Sequence, residues 1–405
     1  MMDSIQSLPI PRVDTAQVRQ WFGGVKEFPD IELLMQIVSQ GAPVHVSGQG
    51  DLQAALAYGN HRSSCPFSPH IMEKIVEDVS MGRAFVFPRK VAEQIPGIRI
   101  SPLTVAESTS KIRICHDLTN ARSGSSVNED TDTSFYPEFK IGHVLRSVVW
   151  GILFLYSKFV VGQADPPRIL LAKQDTKSAF RQVSVQINRS PVFGYVFEDL
   201  VVVDRYLQFG WTSSPSAWGV CASAVEHAHK STTVRDAVIT PEGRAVTSHV
   251  QVISPRENEV PGKPPLNCAY PQDSGGGFLD PLWVSTFVDD ALFVEMEHKL
   301  RCLMASQSFA SDSFRLFGTR NNGEPPLFAA KKITSWDTRM EMLGWSIDTV
   351  AMTIAVPHEK VVQLHVLLEG WPSDRREASV KEVRSLFGET TAPVGSCKAG
   401  EVLRA

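Results

Sequence analysis

The first hundred residues carry apolar side chains at helical spacing. Between Asp30 and Gly41 the apolar positions recur every three or four residues, so a capping residue, an apolar face and a terminating glycine coincide. A second stretch of this kind begins at Ser68, which precedes a proline. A short segment at 84–87 then has extended character. We therefore expect a helical N-terminal extension over residues 1–83.

From residue 99 onward the pattern mixes strands and helices. Period-two alternation and short apolar runs indicate strands, and longer apolar runs indicate buried helices. The predicted elements are an edge-like strand at 111–114, a buried helix over 147–161, a strand at 169–172 leading to Asp175, a hairpin over 192–207 and a helix from Ser214 to about His227. The pattern thus alternates hairpins with helices.

Prolines and a glycine triplet make residues 231–281 a loop-like insertion. Regular patterning returns after it. The predicted elements are strands at 283–287 and 291–294 flanking Asp289-Asp290, a helix from Glu295 towards Phe317, a hairpin of 342–347 with 352–356, and a capped helix from Ser379. The acidic pair is therefore expected at the tip of a hairpin.

Charge and cysteine content exclude several classes of protein. The 40 Lys and Arg against 44 Asp and Glu give a net charge of −4, so a polyanion would have to be held by a local groove or by metal ions. The six cysteines form no C-x-x-C pair, which favours reduced thiols over a disulfide framework or zinc site. The apolar run 147–161 is shorter than a membrane span, and no signal peptide is visible. We expect an intracellular protein, in cytoplasm or nucleus, without a membrane partner.

Three carboxylates stand out by their context. Asp175 ends an apolar strand, and Asp289 and Asp290 lie between two others. Acids beside buried runs cost desolvation energy unless a cation compensates them, and oxygen ligands favour hard ions such as Mg²⁺ or Mn²⁺. Two such ions can clamp the attacking and leaving oxygens of a phosphoryl transfer. An Asp-Asp turn alone is more often a solvated hairpin tip, so the context alone leaves both interpretations open.

The order of the motifs resembles the palm of reverse transcriptases. The similarity covers about residues 85 to 390. The matching segments are Lys111-x-Arg113-x-x-x-Asp117 of the fingers, Asp175 to Phe180, Phe209 to Pro215, Phe287-Val288-Asp289-Asp290, the primer-grip-like Met342 to Trp345, and the start of a thumb from Leu364 to Gly388.

This resemblance implies roles for the acidic cluster. Asp175 and Asp289 would hold two Mg²⁺ or Mn²⁺ ions, with Asp290 a less direct ligand. Lys332, or its neighbour Lys331, would donate a proton to the departing pyrophosphate. The alternative for the lysine is an ordinary surface charge.

The resemblance also implies a nucleotide site. Arg113 and Lys111 would bind the triphosphate, and the ring of Phe180 would exclude a ribose 2′-hydroxyl. Phe209 would stack near the nucleotide, and Gly210 would let the backbone approach the template-nucleotide pair. The alternatives are solvated charges on an edge strand for the basic pair and core packing for the rings.

Phenylalanine at 209 and 287 resembles retrotransposon enzymes more than retroviral ones. The implied fold is an α+β right-hand polymerase of fingers and palm, whose antiparallel palm sheet is backed by helices. The expected domains are the extension 1–83, fingers 84–165, palm 166–356 with its insertion 231–281, and a partial thumb 357–405. Too few residues follow Gly388 for a complete thumb, so weak processivity is expected.

The implied activity is RNA-directed DNA synthesis by a retrotransposon enzyme. Its partners would be an RNA or DNA template with primer, deoxynucleoside triphosphates and other domains of a retroelement polyprotein. One alternative is a catalytically inactive remnant that at most binds nucleic acid. A viral-type RNA-dependent RNA polymerase is disfavoured by Phe180 and Val288, where such enzymes carry a smaller or polar residue and glycine.

Overall fold

The computed structural model describes most of the chain in two compact units. The described residues are 13–23, 28–108, 111–121, 124–138, 141–230, 232–234, 250–252, 282–298, 301–318 and 326–369. The first unit comprises Met1–Phe139, Ser178–Ala224 and Phe314–Asn321, and the second comprises Lys140–Lys177, Val225–Ser313 and Asn322–Ala405.

The described helices and strands alternate irregularly along the chain. The helices are α1 Thr15–Gly23, α2 Ile31–Gln40, α3 Leu52–Tyr58, α4 Ser68–Ser80, α5 Ile141–Phe159, α6 Ser214–Lys230, α7 Arg301–Phe317 and α8 His358–Glu369. The strands are β1 Ala84–Pro88, β2 Leu103–Ser108, β3 Lys111–His116, β4 Ile169–Asp175, β5 Gly194–Phe197, β6 Leu200–Asp204, β7 Thr232–Val234, β8 Val250–Val252, β9 Trp283–Phe287, β10 Asp290–Met296, β11 Arg339–Met342, β12 Trp345–Asp348 and β13 Thr353–Ala355.

The first unit is built around an antiparallel sheet in the order β1-β6-β5 and a β2-β3 hairpin. Its central strand β6 is covered on both faces. Val201 and Val203 pack in one apolar cluster and Val202 in another, because alternate residues of a strand point to opposite faces. All three valines are at most 1% exposed, so β6 reads as an uninterrupted apolar run.

The second unit has an antiparallel sheet in the order β4-β10-β9. Helix α5 covers one face, since its apolar residues recur every three or four positions and contact alternate residues of β4 and β10. The helix contributes Val144, Val148, Ile152, Leu155 and Phe159. On the other face Phe293 packs edge-to-face with Phe309 at a ring-centroid distance of 5.3 Å.

The structure confirms most predicted elements and corrects three. Strand β10 continues to Met296 and α7 begins only at Arg301. The helix therefore starts six residues later than the predicted start at Glu295. The residue at 295 faces the core and pairs with Arg301, which keeps it in the sheet. The segment 342–347 is not one strand, because a bend at Leu343 divides it between β11 and β12.

The third correction concerns the insertion. Within 231–281 the structure describes only 232–234 and 250–252, and these pair as an antiparallel ribbon of β7 and β8. The predicted helix from Ser379 and the thumb motif ending at Gly388 lie outside the described residues. The four predicted domains stay a prediction.

Within the described ranges, no helix combines the length and the apolarity needed to cross a membrane.

Candidate active site

The sheet of the second unit brings the three predicted carboxylates together. Asp175 is the last residue of β4, and Asp290, the first residue of β10, pairs with it in register. Asp289 lies in the bend that joins β9 to β10, and its carbonyl accepts a hydrogen bond of 2.6 Å from the Thr176 amide. Three acids that are distant in sequence therefore meet at one edge of the sheet, with Asp289 in the bend and Asp290 already in the strand.

The bend itself has an unusual backbone. Val288 has a φ of +50°, in the left-handed region that a β-branched residue rarely adopts. A two-residue hairpin needs a positive φ at its first central position, and the pairing of Phe287 with Asp290 leaves only Val288 and Asp289 for the bend. The ladder thus imposes this conformation on the valine.

Burial and mutual repulsion make the cluster electrostatically costly. Only 5% of the Asp175 side chain is exposed, against 47% of the Asp289 side chain. Burial raises the pKa of Asp175, with a smaller contribution from the charge of Asp289. Burial also raises the pKa of Asp290, again with the charge of Asp289 as the next cause. Both carboxyls therefore favour a nearby cation.

Lys332 supplies a cation to this cluster. Its Nζ forms an ion pair with Oδ2 of Asp175 and lies 3.8 Å from Oδ2 of Asp289. The hydrogen bond to Asp175 raises the pKa of the ammonium group. The lysine predicted as a proton donor is thus in contact with Asp175 and Asp289, two of the three predicted metal ligands.

Backbone hydrogen bonds fix where Lys332 lies. The segment 327–337 runs alongside β4, and the Ala329 amide donates to the Asp175 carbonyl at 2.9 Å. Further along, the Thr334 amide donates to the Lys173 carbonyl at 3.1 Å. The 3₁₀ turn Ala330–Lys332 lies between these two anchors, so the lysine is held next to the end of β4.

The chemistry of the cluster fits a hard divalent cation. Its donors are carboxylate oxygens, which Mg²⁺ and Mn²⁺ prefer. Two of these carboxylates already contact a cation, the ammonium group of Lys332. In the conformation described, no group of three or more His, Cys, Asp or Glu side chains among the described residues is spaced as a metal site. Because the ammonium group of Lys332 bridges Asp175 and Asp289, a metal ion would have to displace it.

The two predicted nucleotide-binding phenylalanines contact each other in the first unit. The ring centroids of Phe180 and Phe209 lie 5.0 Å apart. Phe180 is 6% exposed and Phe209 is 68% exposed, so Phe209 presents the accessible ring and Phe180 is the buried member of the pair. Their roles towards a nucleotide stay predictions.

Gly210 packs closely against the backbone at the end of β3. A Cβ at this position would lie 1.9 Å from the carbonyl oxygen of His116, the last residue of β3. Real carbon and oxygen atoms do not come so near, so only glycine fits here. The predicted approach to a template-nucleotide pair stays a prediction, whereas packing against β3 already requires a glycine.

The predicted triphosphate ligands lie on the β2-β3 hairpin. Arg113 is exposed and pairs through its backbone with Ala106. Lys111 pairs with Ser108, and its side chain lies outside the described part of the structure. Lys111, Arg113, Phe180, Phe209 and Gly210 belong to the first unit, while the carboxylates and Lys332 belong to the second.

A buried ion cluster next to Phe180 escaped sequence reasoning. The guanidinium group of Arg181 donates to both carboxylate oxygens of Asp204 at 2.6 Å and pairs with Asp78 at 3.0 Å. All three side chains are at most 10% exposed. The available signal was a charged residue directly after Phe180, for which core packing was the alternative interpretation, because a charged residue beside a core position is buried only when paired.

Comparison with known proteins supports the fold. No protein-family model and no curated protein sequence matches this chain. Among solved structures, a foamy viral protease-reverse transcriptase in complex with an RNA/DNA hybrid aligns with a TM-score of 0.50 and 12% identity, covering 95% of this chain and 41% of that one. The same kind of protein in complex with dsDNA gives a TM-score of 0.47 at 12% identity, covering 95% of this chain and 63% of that one.

The alignment establishes a reverse-transcriptase-like fold of mixed helices and antiparallel sheets. This chain spans less than two thirds of the length of either solved chain.

Proposed function

We propose that this chain is the polymerase portion of a retrotransposon reverse transcriptase, an RNA-directed DNA polymerase that adds deoxynucleotides to a primer 3′ end. The observation that carries the proposal is the meeting of Asp175, Asp289 and Asp290 with Lys332 at one sheet edge. The reverse-transcriptase-like fold supports it, because the aligned foamy viral protein was solved with an RNA/DNA hybrid.

Asp175 and Asp289 would hold two Mg²⁺ or Mn²⁺ ions, with Asp290 beside them. Bound there, the ions would stabilise charge on the attacking and leaving oxygens of phosphoryl transfer. Lys332 would carry a proton on Nζ close to where pyrophosphate departs, and a positioned donor of this kind contributes typically about 10²- to 10⁴-fold in rate.

The first unit would bind the nucleotide. Arg113 and Lys111 would contact the triphosphate, since an exposed guanidinium group pairs with phosphate in two parallel hydrogen bonds. The exposed ring of Phe209 would stack on the base or sugar, and Phe180 beneath it would limit space at the 2′ position. Gly210 would keep the adjoining backbone close to β3.

The proposed partners are an RNA or DNA template with its primer, deoxynucleoside triphosphates, and other domains of a retroelement polyprotein. The duplex would be bound mainly through its phosphates, so its affinity should fall as salt rises.

Primer extension tests the proposal directly. Purified protein is given an RNA template, a DNA primer, Mg²⁺ and either deoxynucleotides or ribonucleotides, alongside Asp289→Asn. Asp199→Asn is a matched control, because Asp199, like Asp289, is the second residue of a two-residue bend whose first residue, Glu198, has a positive φ.

Deoxynucleotide incorporation that survives Asp199→Asn and disappears in Asp289→Asn supports the proposal. Ribonucleotide incorporation would indicate an RNA polymerase instead. No incorporation by the wild-type chain, with binding of primer-template retained, would indicate a non-enzymatic nucleic-acid-binding protein.

A further inference from the structure

Asn128 is half-buried in the first unit and holds the loop that contains Gly210. Its Nδ2 donates to the Gly210 carbonyl at 2.8 Å, and its Oδ1 accepts from the Thr212 amide at 2.9 Å. One side-chain amide therefore pairs with both peptide groups that flank Trp211, as a neighbouring strand would. Trp211 is 2% exposed, which anchors the centre of the same loop.

Asn128 also contacts the chain just beyond β3. Its Nδ2 donates to Oγ1 of Thr119 at 2.9 Å, and its backbone N–H donates to the Leu118 carbonyl at 2.9 Å. The same stretch carries the His116 carbonyl against which Gly210 packs. Asn128 thus links the Gly210 loop to the end of the strand that carries Arg113.

The exposed ring of Phe209 depends on this link. Phe209 is 68% exposed, so the packing of its own side chain restrains it little beyond its contact with Phe180. The position of its ring is set by the backbone that Asn128 holds one residue further on. A small shift of that backbone would move the ring and the adjoining glycine together.

We propose that Asn128 is a positioning residue for nucleotide binding, which fixes the Phe209-Gly210 loop against the strand of Arg113. This inference rests on the proposed polymerase function. It assigns Asn128 no contact with the nucleotide, and it predicts that loss of the amide weakens nucleotide binding more than it slows turnover.

Asn60 provides a matched control in the same unit. It is also half-buried, its Nδ2 donates to the Val196 carbonyl at 2.7 Å, and its Oδ1 accepts from the Leu103 amide at 2.8 Å. Asn60→Ala therefore removes an equivalent amide clamp whose two hydrogen bonds go to Val196 and Leu103 and not to the Gly210 loop. Both alanine variants should lose similar thermal stability.

Amide hydrogen exchange tests the clamp without any enzymatic activity. In Asn128→Ala, exchange at Thr212 should accelerate about tenfold or more, while exchange at Leu103 keeps its wild-type rate. Asn60→Ala should give the reverse. Unchanged exchange at Thr212 in Asn128→Ala would overturn the inference.

Primer-extension kinetics test the consequence. For Asn128→Ala we expect the KM for deoxynucleotide to rise about tenfold with kcat changed less than about threefold, and neither constant to change in Asn60→Ala. Asn128→Asp keeps an acceptor for Thr212 but loses the donor to Gly210, so it should protect that amide and still raise KM.

An equal rise in the KM for deoxynucleotide in both alanine variants would show that Asn128 has only a structural role, and it would overturn the inference. A wild-type protein that extends no primer would refute the proposed function alone, because the exchange result at Thr212 would still decide whether the clamp exists.

Discussion

Replacement of Lys332 by methionine should tighten divalent-metal binding while it impairs catalysis. The ammonium group lies 3.8 Å from Asp289 and pairs with Asp175, so a metal ion must break both contacts to bind. The lysine side chain is 61% exposed, so each contact should contribute the free energy of a surface ion pair, up to about 1 kcal/mol. The two together oppose metal binding by about 1–2 kcal/mol. Since about 1.4 kcal/mol is a tenfold change, Lys332→Met should bind Mn²⁺ about 5- to 30-fold more tightly.

Titration of Mn²⁺ by electron paramagnetic resonance measures this affinity without nucleic acid or turnover. Lys331→Met is the matched control, because Lys331 lies exposed in the same 3₁₀ turn and, within the described contacts, pairs with neither carboxylate. In primer extension, Lys332→Met should lower kcat because the proposed proton donor is lost. Unchanged or weaker Mn²⁺ binding by Lys332→Met, or an equal gain in Lys331→Met, would refute the competition between the lysine and the metal.

Three further substitutions test buried contacts inside each unit. Gly210→Ala should destabilise the protein by about 1–3 kcal/mol, because a Cβ would lie 1.9 Å from the His116 carbonyl; an unchanged melting temperature would contradict this. Arg181→Met should cost about 3–5 kcal/mol in denaturant unfolding, because it leaves Asp204 buried and uncompensated. His229→Phe should raise the melting temperature, since among the described residues neither ring nitrogen of this fully buried histidine has a hydrogen-bond partner.

His229 also predicts how the free energy of unfolding changes with pH. Burial lowers its pKa to about 3, whereas an unfolded histidine titrates near 6.5. The unfolded state therefore binds more protons between these values, and the wild type should lose up to about 1.4 kcal/mol of stability per pH unit from this residue as the pH falls through that window. A wild type and a His229→Phe variant with the same pH slope would contradict the assignment.

Controls separate these effects from general damage. Gly142→Ala has open space around the new Cβ and lies in α5, so it should be neutral or slightly stabilising, unlike Gly210→Ala. Replacing Arg181, Asp204 and Asp78 together by apolar residues should recover much of the loss caused by Arg181→Met alone, because no buried charge then remains unpaired.

The strands that carry the three carboxylates were predictable because strand patterning is local. Apolar runs before Asp175 and around Asp289 identify buried strands, and a strand end beside a two-residue bend leaves little choice of position for an acid. The resemblance of the motif order to the palm of reverse transcriptases then predicted that Asp175 meets Asp289 and Asp290, which neither run indicates alone.

The rest depended on contacts that periodicity does not encode. The link between Asn128 and Gly210 spans 82 residues, and the contact of Lys332 with Asp175 spans 157. The helix predicted from Glu295 failed for the same reason, because a buried partner, Arg301, allows an acidic residue to stay in a strand. Pairing of polar groups, which apolar periodicity does not encode, overrides local propensity at each of these places.

Backbone strain at the Val288 bend does not by itself distinguish a functional site. Glu198 and Leu343 have φ values of +53° and +51° in other hairpin bends, so all three hairpins tolerate a strained first residue of comparable cost, about 1–3 kcal/mol. What separates the Val288 bend is charge. Asp289 there adjoins two carboxyls whose pKa values burial raises, and an exposed lysine offsets them at about 1 kcal/mol per contact. A hairpin that served only the fold would be more stable without these acids, whereas a site that binds a divalent cation requires them, so the electrostatic cost favours the catalytic interpretation.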